Sequence, residues 1–297
     1  MKHPIDPKID CVFKALLGAE SNRALLIHFL NAILGSALAT PITEVELLNP
    51  YNEKEYLNDK LSIVDVKARD QRGGLHQVEI QLLTHPDLPA RILYNWTDLY
   101  SAQLSDGEKY NLLRPTHGIW LLGEDLLPER AEWMHEFRLR DSLGRLLLDH
   151  GGIWLLELNK FHADSIQTEQ ERWLKFFKDG EQLDADALPP WMQTKEMKQA
   201  MSTLKAFSDK ERAYHAYQAR LEFLREQHSI QSYLAELRAE AEQERDKAKQ
   251  ERANAEQERD KAKQERANAE QERRAKETAL AELAQLKARL RDQGFTE

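Results

Sequence analysis

The sequence predicts an α/β protein: a mixed sheet flanked by helices, followed by a long C-terminal helix. Three observations predict it. Apolar stripes at helical spacing open the chain, and period-two runs follow between Leu61 and Leu83. Helical and continuous apolar segments then alternate, an order that suits a small sheet with flanking helices. Finally, a fourteen-residue unit, AEQERDKAKQERAN, repeats from Ala241.

Taken in order, Asp10-Cys11-Val12-Phe13-Lys14-Ala15-Leu16-Leu17 predicts a short helix ended by Gly18. A second helix starts near Ser21, with Leu25, Leu26, Phe29, Leu30, Ile33 and Leu34 as its stripe and Gly35 as its stop. Ile42 to Asn52 reads as an irregular strand and loop, and Asn58 to Lys60 introduce the next strand.

Val64, Val66 and Ala68 alternate with Ile63, Asp65, Lys67 and Arg69; after a Gly73-Gly74 turn, Val78, Ile80 and Leu82 alternate with Gln77, Glu79 and Gln81. This predicts a β-hairpin. If the apolar sets share a face, Asp65 lies opposite or close to Glu79, Lys67 near Gln77 and Ile63 near Gln81. That register requires an odd-length loop or a bulge at the glycines.

Opposed carboxylates repel unless something positive sits between them. Hard oxygen ligands suit Mg²⁺ or Mn²⁺, which bind through one or two carboxylates and keep waters for a substrate phosphate. The alternative is a hairpin with one solvated face, on which Asp65, Lys67 and Glu79 only confer solubility.

Thr84 to Pro89, with two prolines, predicts a loop. An amphipathic helix is expected over Ala90 to Leu104, with Ile92, Leu93, Trp96, Leu99 and Tyr100 on its apolar side. His85 in the loop before it could serve as a base or ligand, although a loop histidine is more often merely exposed. Thr116 to Leu122 is an apolar run of the kind that forms a buried central strand, and Gly151 to Leu158 reads likewise. His135 to Arg140 alternates like a more exposed strand, with a hairpin at Ser142-Leu143-Gly144. From Gln170 the chain reads as helical: Trp173, Leu174, Phe176 and Phe177 cluster, Pro189-Pro190 breaks the run, and Met197, Met201, Leu204 and Phe207 line one face of a further helix.

In the repeats only alanines (Ala241, Ala248, Ala255, Ala262, Ala269) fall at heptad spacing, a thin seam for association. Leu280, Leu283, Leu286 and Leu290 make a better one. A helix from Leu221 to Arg291 is expected, a spacer that pairs mainly near its leucine-bearing end.

A net charge of −9 and a pI near 5.7 argue against a protein that coats nucleic acid by bulk electrostatics, so any DNA contact must be local or through a metal. Cys11 is the single cysteine, which excludes an intramolecular disulfide and fits a reducing cytoplasm. No apolar run approaches a membrane span, and MKHPIDPK lacks a signal-peptide hydrophobic region. The expectation is a cytoplasmic protein without a membrane partner.

Asp65 followed by Glu79-Ile80-Gln81, preceded by IDCVFKALLG at Ile9 to Gly18, resembles the PD-(D/E)XK nuclease superfamily in its Rpn branch, the recombination-promoting nucleases, also described as transposases. RILYNWTDLYSAQLSDGEKYNLL, GIWLL, LELNKF and RWLKFF follow in that family's order, and the resemblance covers Pro4 to Gln231.

The resemblance implies a restriction-endonuclease-like fold and a metal-dependent DNA endonuclease associated with recombination or with mobile or foreign DNA. Asp65 and Glu79 would be its ligands for Mg²⁺, with Mn²⁺ or Ca²⁺ as alternatives. It also brings Asp10 toward the metal site, although Asp10 can equally be a cap or surface acid. Where most of the superfamily has a lysine two residues after the Glu, this chain has Gln81, as the Rpn branch does. Gln can orient water but carries no charge, and Lys67, on the same strand face as Asp65, is placed to supply it. Arg91 and Lys14 are candidates for phosphate contact and Tyr94 for stacking or positioning.

The expected organisation is a nuclease-like domain at 1–185, a helical extension at 186–235 and a charged repeat helix, a possible coiled coil, at 236–297, in a homodimer that uses the C-terminal helix. A catalytically inactive DNA-binding or scaffold protein is the alternative. A DDE-type transposase is disfavoured, because no distant third acid is singled out.

Overall fold

A computed structural model describes residues 1–50 and 64–292, with side chains of the last helix through residue 289. The expected lead-in at Asn58 to Lys60 and the Ile63–Gln81 pairing lie outside the described residues, as does the Leu290 side chain.

Strands β1 (Val45–Leu47), β2 (Val66–Asp70), β3 (Leu75–Gln81), β4 (Thr116–Leu122), β5 (Met134–Phe137) and β6 (Gly151–Glu157) form one mixed sheet in the order β1-β2-β3-β4-β6-β5. The β2–β3 pair is antiparallel in the expected register, Val66 opposite Val78 and Lys67 opposite Gln77. An odd loop, Gln71-Arg72-Gly73, closes it. The Gly73 amide donates to the Asp70 carbonyl at 3.0 Å, and Gly73 sits at φ +83°, where a side chain would be strained. β3, β4 and β6 run parallel, and every residue of β4 is buried. A sheet centre covered on both faces needs such continuous apolar runs.

Helices α1 (Asp10–Leu17), α2 (Arg23–Leu34), α4 (Glu169–Asp179) and α5 (Lys195–Asp209) build the larger core with one sheet face: Phe13, Phe29, Trp173 and Phe177 pack with Val66, Val78 and Ile119. Helix α3 (Leu88–Ser101) covers the other face, where Leu88 and Ile92 pack with Trp120, Leu122 and Leu155. Thr168 and Glu171 form a capping box that starts α4, so orphan amides of its first turn find acceptors.

Several details differ from expectation. Helix α3 begins at Leu88, with Pro89 inside its first turn; there the missing N–H costs nothing and the ring's φ is already helical. Its buried face carries Ile92, Asn95 and Leu99, whereas Leu93 is 54% exposed. The 135–140 strand stops at Phe137, and the following turn is held by an isolated Arg140–Leu146 bridge. Gly35 does stop α2, as expected, and opens a short 3-10 turn.

Helix α6 runs from Glu211 to Asp292, ten residues earlier than expected at its start. The chain divides into two compact units, Met1–Glu226 and Gln227–Glu297. In the first unit α6 buries Tyr217 in the main core; in the second, residues 235–289 are exposed throughout. No helix among the described residues is long and apolar enough to cross a membrane.

Candidate active site

The end of the β2–β3 hairpin remote from its turn gathers the predicted acids. Extending the β2–β3 register by one step sets Asp65 beside Glu79. Asp65 lies just before β2, half-buried, and its Oδ2 accepts from the Ile80 amide at 3.0 Å, which ties it to β3. Glu79 is only 3% exposed because β4 runs alongside and places Trp120 next to it. Gln77, also fully buried, donates to Glu79 Oε1 at 3.0 Å. Burial first, and then the Asp65 charge, push the Glu79 carboxyl up to about 8.

The cations come from helices. Lys14, one turn along α1 from Asp10, brings Nζ to 3.2 Å from Asp65 Oδ1. Arg91 on α3 donates to Gln81 Oε1 at 3.2 Å while its guanidinium lies over the Trp120 ring. Gln81 in turn donates from Nε2 to the Leu83 carbonyl at 2.7 Å, so both ends of its amide are held. Lys67 is half-buried opposite Gln77, on the Asp65 side of the strand. Tyr94 is 42% exposed on α3, three residues on from Arg91.

Asp10 Oδ1 accepts from the Cys11 amide and from Arg220 Nε at 3.0 Å, and among the described residues no three ligating acids, histidines or cysteines form a group that could hold a metal ion. His85 is half-buried in the loop before α3, where its carbonyl accepts from the Leu88 amide.

Two oxygen-bearing side chains that repel one another, one of them buried, fit a hard divalent cation that takes its remaining ligands from water and phosphate. The pair is costly without such a charge, and the raised Glu79 carboxyl is the measure of that cost.

Sequence reasoning missed two features. Gln77 buttresses Glu79; its place two residues before the acid, on the same strand face, was the available signal. Glu157, fully buried at the end of β6, accepts from the Leu126 and Leu127 amides, His135 Nε2 and Lys160 Nζ at 2.5–2.9 Å. Burial opposes its charge, yet Lys160 and these donors outweigh that and hold the carboxyl below its ordinary value. Glu157 is fully satisfied, a clamp on the loop after β4.

A family model described as PD-(D/E)XK nuclease family transposase matches residues 7–234. No curated protein and no solved structure shows a significant match to the chain.

Proposed function

The chain belongs to the PD-(D/E)XK nuclease family transposases, and from that membership we propose that it is a metal-dependent DNA endonuclease acting at Asp65 and Glu79. The observation that carries this reading is the buried Glu79 carboxyl held against Asp65, an arrangement that costs stability unless a cation is shared. Mg²⁺ fits the donors, with Mn²⁺ or Ca²⁺ as alternatives; once bound, such an ion lowers the pKa of a coordinated water and offsets charge on the phosphate.

The chain's own residues divide the remaining work. The Ile80 amide and Lys14 orient Asp65, and Gln77 orients Glu79. Gln81, clamped by Arg91, positions water by hydrogen bonding but adds no charge. Lys14 and Lys67 are the candidates to supply it. Arg91 and Lys14 contact the DNA backbone, and the exposed Tyr94 ring stacks on or positions the substrate. Asp10 acts indirectly, by fixing α1 to Arg220 and so setting where Lys14 emerges.

The reading includes a cytoplasmic location, consistent with a lone cysteine, and a homodimer joined through the leucines near the end of α6, since cutting both strands calls for two sites. The expected division into 1–185, 186–235 and 236–297 assigns cutting to the first segment and spacing to the last. The substrate role in recombination or against mobile or foreign DNA follows from the family alone.

Supercoiled plasmid tests the proposal: nicking is expected with Mg²⁺, none with EDTA, and none for Asp65→Ala or Glu79→Ala. A second reading, a DNA-binding or scaffold protein without turnover, draws on the engagement of both Asp65 oxygens by Lys14 and the Ile80 amide. DNA binding without nicking in that assay would favour it.

A further inference from the structure

Within the second unit, helix α6 carries two exposed apolar clusters: Ile230, Leu234 and Leu237 near its start, and Leu283 and Leu286 near its end, each 42–61% exposed. The sequence pointed to pairing mainly at the second. Leu237 and Leu286 are 49 residues apart, a whole number of heptads, so one seam runs through both clusters.

Between the clusters the seam alternates. Positions in phase with Leu234 hold alanine from Ala241 to Ala269, then Lys276; positions in phase with Leu237 hold glutamate from Glu244 to Glu272, then Ala279. All of these side chains are exposed. The ion pairs that form along this part of the helix, Lys263–Asp260, Arg273–Glu277 and Arg274–Glu270, use none of the seam glutamates. A seam with leucines at both ends is matched by a second copy of itself, provided that the charges between them fall in the right places.

Leucine pairing is satisfied by either direction, and the charges decide between them. In a parallel pair each seam residue meets its own counterpart, so every glutamate from Glu244 to Glu272 would face the same glutamate, and Lys276 another lysine. Like charges set against one another in a contact are costly. An antiparallel pair that sets Leu237 opposite the partner's Leu283 also sets Leu234 opposite the partner's Leu286 and Glu244 opposite the partner's Lys276. Every other seam glutamate then meets an alanine, as Glu251 meets the partner's Ala269. No like charges oppose each other in the seam. Antiparallel pairing does bring Arg245 and the partner's Arg273 to one rim, but these long side chains stay in water, where a like-charge pair costs little.

We propose that α6 pairs antiparallel with a second copy of the chain, the Ile230–Leu237 cluster of each packing on the Leu283–Leu286 cluster of the other. The inference rests on the reading of α6 as the dimer contact and adds its direction, its register and a second contact surface. Glu226, where the first unit ends, and its counterpart then lie about 100 Å apart along the pair at ~1.5 Å per residue. The two nuclease-like units join the pair far from each other, so the two sites of one dimer act on separate stretches of DNA. A parallel pair would bring the units side by side.

The test is sedimentation and cross-linking of the full chain. Glu244→Lys and Lys276→Glu are each expected to weaken the dimer by about tenfold, since each creates two like-charge pairs in an antiparallel dimer, and the double variant to restore it. In a parallel pair each single change only exchanges one like-charge contact for another, and the double variant restores nothing. For the register, a Leu237→Cys chain is annealed with a longer, tagged Leu283→Cys chain, both carrying Cys11→Ser. Oxidation is expected to join untagged to tagged chain. Disulfides between two Leu237→Cys chains, absence of the mixed disulfide, or single charge reversals without effect overturn the antiparallel pairing and leave the dimer reading standing. A full chain that sediments as a monomer overturns both.

Discussion

Lys14 Nζ lies 3.2 Å from Asp65 Oδ1, so among the described residues the cation paired with the first acid of the motif comes from the first helix and not from the strand that carries the acid. Sequence spacing pointed to Lys67 for this charge, because residues two apart on a strand share a face. A helix lysine reaches the same acid because α1 packs against the sheet through Phe13 and Leu16.

Replacing Lys14 with Met keeps the side-chain length and removes the charge. Plasmid nicking is expected to fall by about tenfold or more, in line with the loss of one charge aimed at a reacting phosphate. Lys67→Ala measured in parallel separates the two lysines, and a larger loss there would return the role to the strand.

Arg91→Ala releases the Gln81 amide and uncovers Trp120. Nicking should drop while the fold persists, because Arg91 is only half-buried. A kcat loss greater than any change in DNA affinity is the signature of lost positioning, whereas a pure affinity loss would mark Arg91 as a backbone contact only.

The Glu79 carboxyl, raised from 4.5 to about 8, carries a stability signature in metal-free protein. Between those values the folded state holds a proton that the unfolded state has released, so stability falls as pH rises through the window. The expected slope is about 1 kcal/mol per pH unit. Glu79→Gln should flatten the profile, as read by chemical denaturation in EDTA. An unchanged slope would show that Glu79 is ionised in the fold, with Gln77 and Arg91 outweighing Asp65.

Thr168→Ala removes the capping-box hydroxyl that accepts from the Glu171 amide. A loss of about 1 kcal/mol is expected in denaturant melts, with nicking unaffected at temperatures well below unfolding.

Deleting residues 227–297 leaves the compact unit Met1–Glu226 with its core. The shortened chain should melt cooperatively at nearly the same temperature. Sedimentation should show the full chain as a dimer and the shortened chain as a monomer; a dimer in both would move the interface off α6.

The hairpin register was legible because period-two patterning and an odd glycine loop leave one alignment that keeps Val66 and Val78 on the same face. Trp173, Phe176 and Phe177 were legible as core because their spacing repeats on one helix face. The face of α3 was not. Leu93 and Asn95 exchange the places that apolarity alone assigns, since Trp96 turns its Nε1 to donate to the Thr116 carbonyl at 2.9 Å. The placement of Asp10 was equally hidden, because its partner Arg220 lies 210 residues further along the chain.

By itself the sequence determined the strands and helices, the pairing of Asp65 with Glu79, the glutamine at the third motif position and the repeated helix, all of which are set by neighbours along the chain. Only the tertiary structure decided that Glu79 is buried beside Trp120, that Lys14 reaches Asp65 from the first helix, and that Arg91 holds the Gln81 amide. Burial and charge at each of these points depend on which distant segment packs there, and local periodicity carries no record of that.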